Sequence, residues 1–121
     1  MDKELTALDR SLKALADPTR VRMLALLRAG DICVCHIHET LGITQSKASR
    51  HLAYLRRAGL VETEKRGLWV YYRRARVAHP AVQAVLDAVG HGVAEIPTVQ
   101  RDLTRLEKKL GCCVEPRAFA P

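Results

Sequence analysis

The segment Thr44–Gly59, "TQSKASRHLAYLRRAG", decides the fold. It opens on a threonine, a typical helix N-cap, and closes on a glycine, a typical helix terminator. Between them Ala48, Leu52 and Leu55 recur at helical spacing and predict an inward-facing side. Another helix is expected to end just before it, at Gly42. Two helices joined by a short turn containing glycine are typical of a helix-turn-helix.

The residues before this unit also predict helices. In the first segment the leucines fall at helical spacing and give an amphipathic helix of roughly three turns. These leucines are Leu5, Leu8, Leu12 and Leu15. Asp17, followed by proline, predicts the start of a second helix that ends at Gly30. A third helix is expected to begin near Asp31 or Ile32 and to run to about Leu41.

The pattern changes after this unit, in the stretch 60–75, "LVETEKRGLWVYYRRA". It is rich in Val, Thr, Trp and Tyr and breaks at Lys65-Arg66-Gly67, which predicts a two-stranded hairpin with a basic tip. Trp69, Tyr71 and Tyr72 are expected to be packing residues of the strands. The expected fold class is mainly α with a small β hairpin, a winged helix-turn-helix.

Helical periodicity resumes at Pro80, and Pro97 is expected to interrupt or kink this last helical region. Its apolar stripe comprises Val82, Val85, Leu86, Val89, Leu103, Leu106 and Leu110. Narrow Leu and Val seams in the first and last helices predict a homodimer. We expect residues 1–110 to form a winged helix-turn-helix DNA-binding and dimerisation domain, and residues 111–121 a Cys-containing C-terminal tail.

Charge and composition narrow the class of protein. The 121 residues carry a formal net charge of +7, and the basic residues cluster at 47–57 and 65–76, which indicates a nucleic-acid partner. No stretch has the apolar length of a signal peptide or a membrane span, so we expect a cytoplasmic protein with no membrane partner. In that compartment the four cysteines are expected to be thiols.

The helix-turn-helix reading assigns the DNA contacts. The second helix of such a unit enters the major groove and its first residues meet the base edges and phosphates of double-stranded DNA. The residues expected there are Gln45, Ser46, Lys47, Ser49, Arg50 and His51. At the hairpin tip, Lys65 and Arg66 are expected to contact the DNA backbone or minor groove. The alternative is that these charges only solvate an exposed helix.

A second motif, "DICVCHIH" at 31–38, places two thiols two residues apart. A disulfide across so small a ring would be strained. On a regular helix Cys33 and Cys35 would point roughly 200° apart, so binding one ion with both sulfurs would distort the first turn of the third helix. That distortion would tilt the recognition helix, as a switch requires. The alternative is that both are small buried apolar residues.

Together, "DICVCHI", "SRHLAYLRRAGLV" and "GLWVYYR" resemble the ArsR/SmtB family of metal- and metalloid-responsive winged-helix repressors, and its arsenic-sensing branch in particular. The resemblance covers roughly residues 8 to 90. It implies a homodimer that represses a detoxification operon by binding a palindromic operator without any cofactor. It also implies that trivalent arsenic or antimony acts as the inducer and releases the DNA.

The sequence departs from this branch at His38, where the family pattern has a third cysteine. Cys35 and His38 would share a helical face, but trivalent arsenic prefers thiolate, whereas zinc or cadmium accepts a mixed Cys/His set. Either two thiolates suffice for arsenic, or Cys112 and Cys113 contribute.

Other effectors and other classes of protein are alternatives to this interpretation. One alternative effector is zinc, cadmium or lead, bound by Cys33, Cys35 and His36 or His38; another is thiol oxidation. The family's zinc site on the last helix is only loosely approximated by Asp87, His91 and Glu95. No Cys-x-x-Cys motif, catalytic triad, phosphate loop or paired acid cluster supports an enzyme, so the chain is expected not to be one.

Overall fold

The computed structural model describes residues 2–110, which form six helices and three strands. In chain order these are α1 Lys3–Leu15, α2 Pro18–Leu27, β1 Ile32–Cys33, α3 Val34–Leu41, α4 Gln45–Arg57, β2 Val61–Arg66, β3 Trp69–Arg74, α5 Pro80–Val93 and α6 Pro97–Leu110. The mainly helical architecture with a β hairpin after the fourth helix confirms the predicted winged helix-turn-helix. The predicted tail, with Cys112 and Cys113, lies outside the described residues.

Side-chain caps begin helices α2 and α4 at Asp17 and Thr44, the positions that the sequence predicts. The Asp17 carboxylate accepts hydrogen bonds from the backbone N–H groups of Thr19 and Arg20, at 2.8 and 3.1 Å. These bonds satisfy two of the N–H groups that a helix start leaves without a partner. Gly42 ends α3 in the left-handed conformation, with φ +70°, so α4 can begin only three residues later.

The sheet has three strands instead of the predicted two. Its order is β1-β3-β2, all antiparallel, with Ile32 opposite Tyr72 and Cys33 opposite Tyr71. The expectation that the third helix begins near Asp31 or Ile32 is therefore wrong. These residues leave the helical path because Ile32 and Cys33, both buried, pair with the hairpin through their extended backbone.

The core is centred on α2, whose residues from Met23 to Leu27 are all buried. The recognition unit contributes Ile37, Leu52 and Leu55 to the same cluster, and α6 contributes Leu106. Each of these side chains is worth roughly 1.5–3 kcal/mol when fully buried, so the core fixes α3 and α4 firmly on α2. Among residues 2–110, no helix has the length and apolar character needed to cross a membrane.

The last helical region is interrupted between α5 and α6, and α6 begins at Pro97, where the sequence predicts an interruption. Helix α5 packs beside α1, whereas α6 turns back and packs on α2 and α3. The seam of α6 is therefore used within the chain's own core, where Leu106 is 1% exposed. Of the last two helices, α5 is the one that lies beside α1 at the predicted dimer face.

Candidate DNA interface and thiol pair

Helix α4 presents one apolar and one polar face, as its sequence predicts. Ala48, Leu52 and Leu55 are fully buried, and the Thr44 hydroxyl caps the helix by accepting the Lys47 N–H at 3.1 Å. The predicted DNA-contacting residues that lie on the exposed surface are Gln45, Ser46, Lys47 and Arg50. Ser49 is half-buried. The start of α4 thus offers polar and basic side chains to solvent, as insertion into a major groove requires.

His51, also predicted to contact DNA, is half-buried and points toward α2. Its Nδ1 lies 3.4 Å from a guanidinium nitrogen of Arg20. The same guanidinium stacks 4.1 Å from the ring centroid of Tyr54 and donates to the carbonyl of Ala14 at 2.6 Å. Arg20 therefore ties the end of α1 to the recognition helix. Sequence reasoning missed this residue because its partners lie on two other elements, α1 and α4.

The two basic residues of the hairpin tip differ in their surroundings. Lys65 is exposed, whereas Arg66 donates to Glu64 at 2.7 Å, donates to Asp31, and stacks over Tyr71 at 4.5 Å. The turn itself relies on Gly67, whose φ of +61° lies in the region that favours glycine. Lys65 is thus free to approach phosphate directly, while Arg66 is held by the protein.

Four side chains close a ring of ion pairs that joins the hairpin to the residue before β1, and we call it the wing ring: Asp31, Glu64, Arg66 and Arg73. Each carboxylate bonds both guanidinium groups, and the Arg73 Nε lies 3.3 Å from Asp31. The hydrogen bonds from Arg66 and Arg73 lower the pKa of Glu64 to about 2. Glu64 and Arg66 are two residues apart on β2 and therefore lie on the same face of the strand, which indicates part of this ring. Nothing in the sequence indicates that Asp31 joins them.

The Cys33 and Cys35 sulfurs lie together, 2.7 Å apart, and both thiols are free. The prediction that they point apart is wrong because Cys33 is not in the helix: it is the N-cap of α3, with extended backbone at φ −67°, ψ 143°. Its Sγ accepts the Cys35 N–H at 3.4 Å. Two thiols are therefore presented side by side without any distortion of the first turn.

Burial sets the protonation of this pair. Cys33 is 3% exposed and Cys35 is half-buried. Burial, followed by the hydrogen bond and charge of Cys33, raises the pKa of Cys35 to about 11. Cys35 is therefore a neutral thiol near pH 7, so a ligand that binds both sulfurs must remove or replace a proton.

His36 and His38, the other predicted ligands among residues 2–110, do not join the pair. His38 Nδ1 lies 3.1 Å from the carbonyl of Ile43, in the turn before α4, and His36 is half-buried. Within residues 2–110, no three His, Cys, Asp or Glu side chains come together in a way that suits a metal ion. This holds also for Asp87, His91 and Glu95. The structure thus assembles two sulfurs, and Cys112 and Cys113 lie outside the described residues.

Helix α6 braces the thiol-bearing helix from its other side. Arg105 donates to the carbonyl of Thr40 at 3.3 Å, and Lys109 lies 3.5 Å from the Glu39 carboxylate. Asp102, 1% exposed, is bonded by both guanidinium arms of Arg22, at 2.8 and 2.9 Å. Because the buried Asp102 carboxylate is paired and hydrogen-bonded, it holds α6 in a defined position on α2 and α3.

Comparisons with known proteins agree with this architecture. The family model described as "Bacterial regulatory protein, arsR family" matches residues 17–63. The "Arsenic resistance transcriptional regulator ArsR1" of Pseudomonas putida is 46% identical over 84 residues, which are 69% of this chain and 62% of that protein. This chain thus spans less than two thirds of that relative's length.

Solved structures extend the similarity. HlyU from Vibrio cholerae superposes with a TM-score of 0.65 at 32% identity, over 75% of this chain and 96% of that one. Mb0332 from Mycobacterium bovis, described as a homodimeric winged helix-turn-helix DNA-binding domain, superposes with a TM-score of 0.64 at 32% identity, over 74% of this chain and 80% of that one.

Proposed function

We infer that this chain, which belongs to the ArsR/SmtB family of bacterial regulatory proteins, represses transcription by binding operator DNA as a homodimer and releases it when arsenite or antimonite binds its cysteines. The observation that supports this choice of effector is the pair of free thiols, 2.7 Å apart, at the start of α3. Relatives named as transcriptional regulators place the chain among regulators and not among enzymes.

The DNA-binding part rests on α4 and the hairpin. Exposed Lys47 and Arg50 on α4 and exposed Lys65 at the hairpin tip offer positive charge to phosphates, and Gln45 and Ser46 offer hydrogen bonds to base edges. We propose that Ser49 assists at the groove, and that His51 acts mainly by fixing the recognition helix against Arg20. A homodimer would present two such helices to a palindromic operator about one helical turn apart.

Thiol chemistry favours a trivalent metalloid as the inducer. Arsenous acid reacts with two thiols so that two S–As bonds form and two As–OH bonds break, while the thiol protons leave with the hydroxides as two waters. No electron is transferred. The product is uncharged. This suits a half-buried site in which the pKa of the Cys35 thiol is raised to about 11. A soft ion with sulfur ligands alone fits this pair better than zinc, which prefers four ligands.

Release of DNA follows from what the sulfurs do before the metalloid arrives. The Cys33 Sγ accepts the N–H of Cys35 and so caps α3, and α3 leads to α4 through a three-residue turn. Once an S–As bond replaces the S–H bond of Cys33, arsenic fixes the position of the sulfur and the cap weakens. We propose that α3 then shifts at its start, and that α4 shifts with it.

We propose that the tail supplies a third thiolate, from Cys112 or Cys113. Lys109, three residues before Cys112, pairs with Glu39, which lies one helical turn after Cys35. The chain thus leaves α6 beside the sensor helix, which supports donation within one subunit. A tail donated by the partner subunit, or two independent pairs, would give different stoichiometries or crossed complementation. His38 remains the alternative third ligand.

Fluorescence anisotropy of a labelled operator tests the function. The variant Cys33→Ser/Cys35→Ser should bind operator as the wild type does, within about twofold, and should remain bound at arsenite concentrations that release the wild type. The variant Cys112→Ser/Cys113→Ser, which removes only the proposed third ligand, should lose part of the response. Parallel titrations with zinc, cadmium and peroxide test the alternative effectors. An arsenite response that persists without Cys33 and Cys35 would contradict the proposal.

A further inference from the structure

The thiol pair and the hairpin are linked by a segment of three residues. Cys33 is opposite Tyr71 in the sheet, and Asp31, two residues before it, bonds Arg66 of β2 and Arg73 of β3. The side chain of Asp31 is only 5% exposed. One short segment therefore carries a ligand sulfur at its end and holds both strands of the hairpin at its start.

Main-chain pairing alone gives a weak link between these parts. β1 is two residues long and shares only the pairs Ile32–Tyr72 and Cys33–Tyr71 with β3. The wing ring adds two charge-assisted hydrogen bonds, which Asp31 accepts from Arg66 and Arg73, and such bonds are about twice as strong as neutral ones. Glu64, in contrast, accepts hydrogen bonds from Arg66 of β2 and Arg73 of β3, both within the hairpin. The only ring member outside the hairpin is Asp31.

We propose that Asp31 is a positioning residue that couples the thiol pair to the wing: binding of a thiol-reactive metalloid at Cys33 and Cys35 shifts the 31–33 segment, loosens the bonds of Asp31 to Arg66 and Arg73, and moves the hairpin. The inference rests on the proposed function and adds a second route to the one through α3. It assigns DNA release jointly to the recognition helix and to the wing.

Trp69 gives a readout of the wing that needs no DNA. It is the single tryptophan of the chain, it is 57% exposed, and it lies opposite Arg66 at the hairpin tip. Adding arsenite to the free wild-type protein should change the emission or anisotropy of Trp69. The same addition to Asp31→Asn should leave the Trp69 signal unchanged, although arsenite binds with an affinity within about twofold of the wild type.

Two further variants separate coupling from simple stiffening of the hairpin. Glu64→Gln opens the ring on the hairpin side and keeps the link to β1, so its Trp69 response should persist. Asp31→Glu keeps the carboxylate and should recover the response that Asp31→Asn lacks. Equal loss of response in Glu64→Gln and Asp31→Asn would show that the ring only stiffens the wing, and would overturn the inference.

Operator binding gives the second test, through the ratio of operator Kd with and without arsenite. Asp31→Asn should lower this ratio by about fivefold or more relative to Glu107→Gln, a matched control that removes one negative charge from an exposed position of α6, outside the hairpin. If Asp31→Asn does not fold, Arg66→Gln breaks the same bond from the wing side. Arsenite should then leave the emission and anisotropy of Trp69 unchanged.

The outcomes distinguish the two levels of the proposal. If arsenite does not bind the wild type, the proposed function fails and the coupling fails with it. If arsenite binds and releases DNA, and Asp31→Asn retains both the Trp69 response and the wild-type ratio, the coupling alone is overturned.

Discussion

Cys33 shows how much one position can determine. Its backbone ends β1, its sulfur caps α3, and the same sulfur lies 2.7 Å from Cys35. An extended backbone at the N-cap is what makes these three roles compatible, because it turns the side chain toward the first helical N–H groups. Serine or threonine would cap the helix as well, so a cysteine here is informative about sulfur chemistry.

The protonation of Cys35 predicts how metal affinity depends on pH. Burial and the neighbouring Cys33 thiol raise its pKa to about 11, so the proton stays bound throughout the neutral range. Arsenite capture returns thiol protons as water and should have an affinity nearly constant between about pH 6 and 8. Zinc or cadmium must expel the proton, so its affinity should rise by up to about tenfold per pH unit per proton released.

Titration calorimetry at three pH values, with Cys33→Ser/Cys35→Ser as the blank, measures this difference. An arsenite affinity that climbs as steeply with pH as that of cadmium would contradict the assigned protonation.

At the level of elements, we propose that DNA affinity is divided between α4 and the hairpin, whose basic residues have different surroundings. Lys47 and Lys65 are exposed, while Arg66 is committed to Asp31 and Glu64, whose bonds raise the pKa of its guanidinium further. An arginine held in this way aligns the wing, whereas we expect the exposed lysines to neutralise phosphates.

Lys47→Ala and Lys65→Ala should each weaken operator binding at every sequence tested. Each phosphate contact contributes about 0.9 to the slope of log affinity against log salt, and a dimer presents each residue twice, so each variant should lower the slope by roughly two. Lys108→Ala, an exposed lysine on α6, is the matched control. Unchanged slopes for both variants would show that α4 and the hairpin tip do not contact the backbone.

At the scale of the whole molecule, the leucine seams are divided between the core and a candidate dimer face. Leu106 is buried by the fold of the single chain, whereas Leu5 and Leu12 on α1 are 59% and 49% exposed. They lie two turns apart on the same side of the helix. Exposed leucines beside α5 support dimerisation through α1 and α5. Helix α6 packs instead on α2 and α3.

Leu5→Ser/Leu12→Ser should weaken the dimer without unfolding the subunit. Burial of a leucine is worth roughly 1.5–3 kcal/mol; the dimer would lose burial of the exposed half of four leucines, so its dissociation constant should rise at least about a hundredfold. Sedimentation equilibrium without DNA measures the effect. Leu68→Ser, which removes a 92% exposed leucine from the hairpin, should leave the dimer intact. A dimer as tight in the first variant as in the second would place the interface elsewhere.

The sequence by itself determined the helices, the caps at Asp17 and Thr44, the inward face of α4 and the position of the hairpin. These follow from local physics, since periodicity, capping side chains and glycine turns act over a few residues. The cysteine pair was also visible as a motif.

Only the tertiary structure decided that Ile32 and Cys33 form a strand, because their pairing partners lie about forty residues away, on β3. That pairing turns the Cys33 sulfur toward Cys35, where helical periodicity alone would separate the two. The wing ring, the contacts of Arg20 with α1 and α4, and the packing of α6 on α3 arise in the same way. Each joins side chains from elements distant in sequence, and burial makes such ion pairs and packing contacts specific.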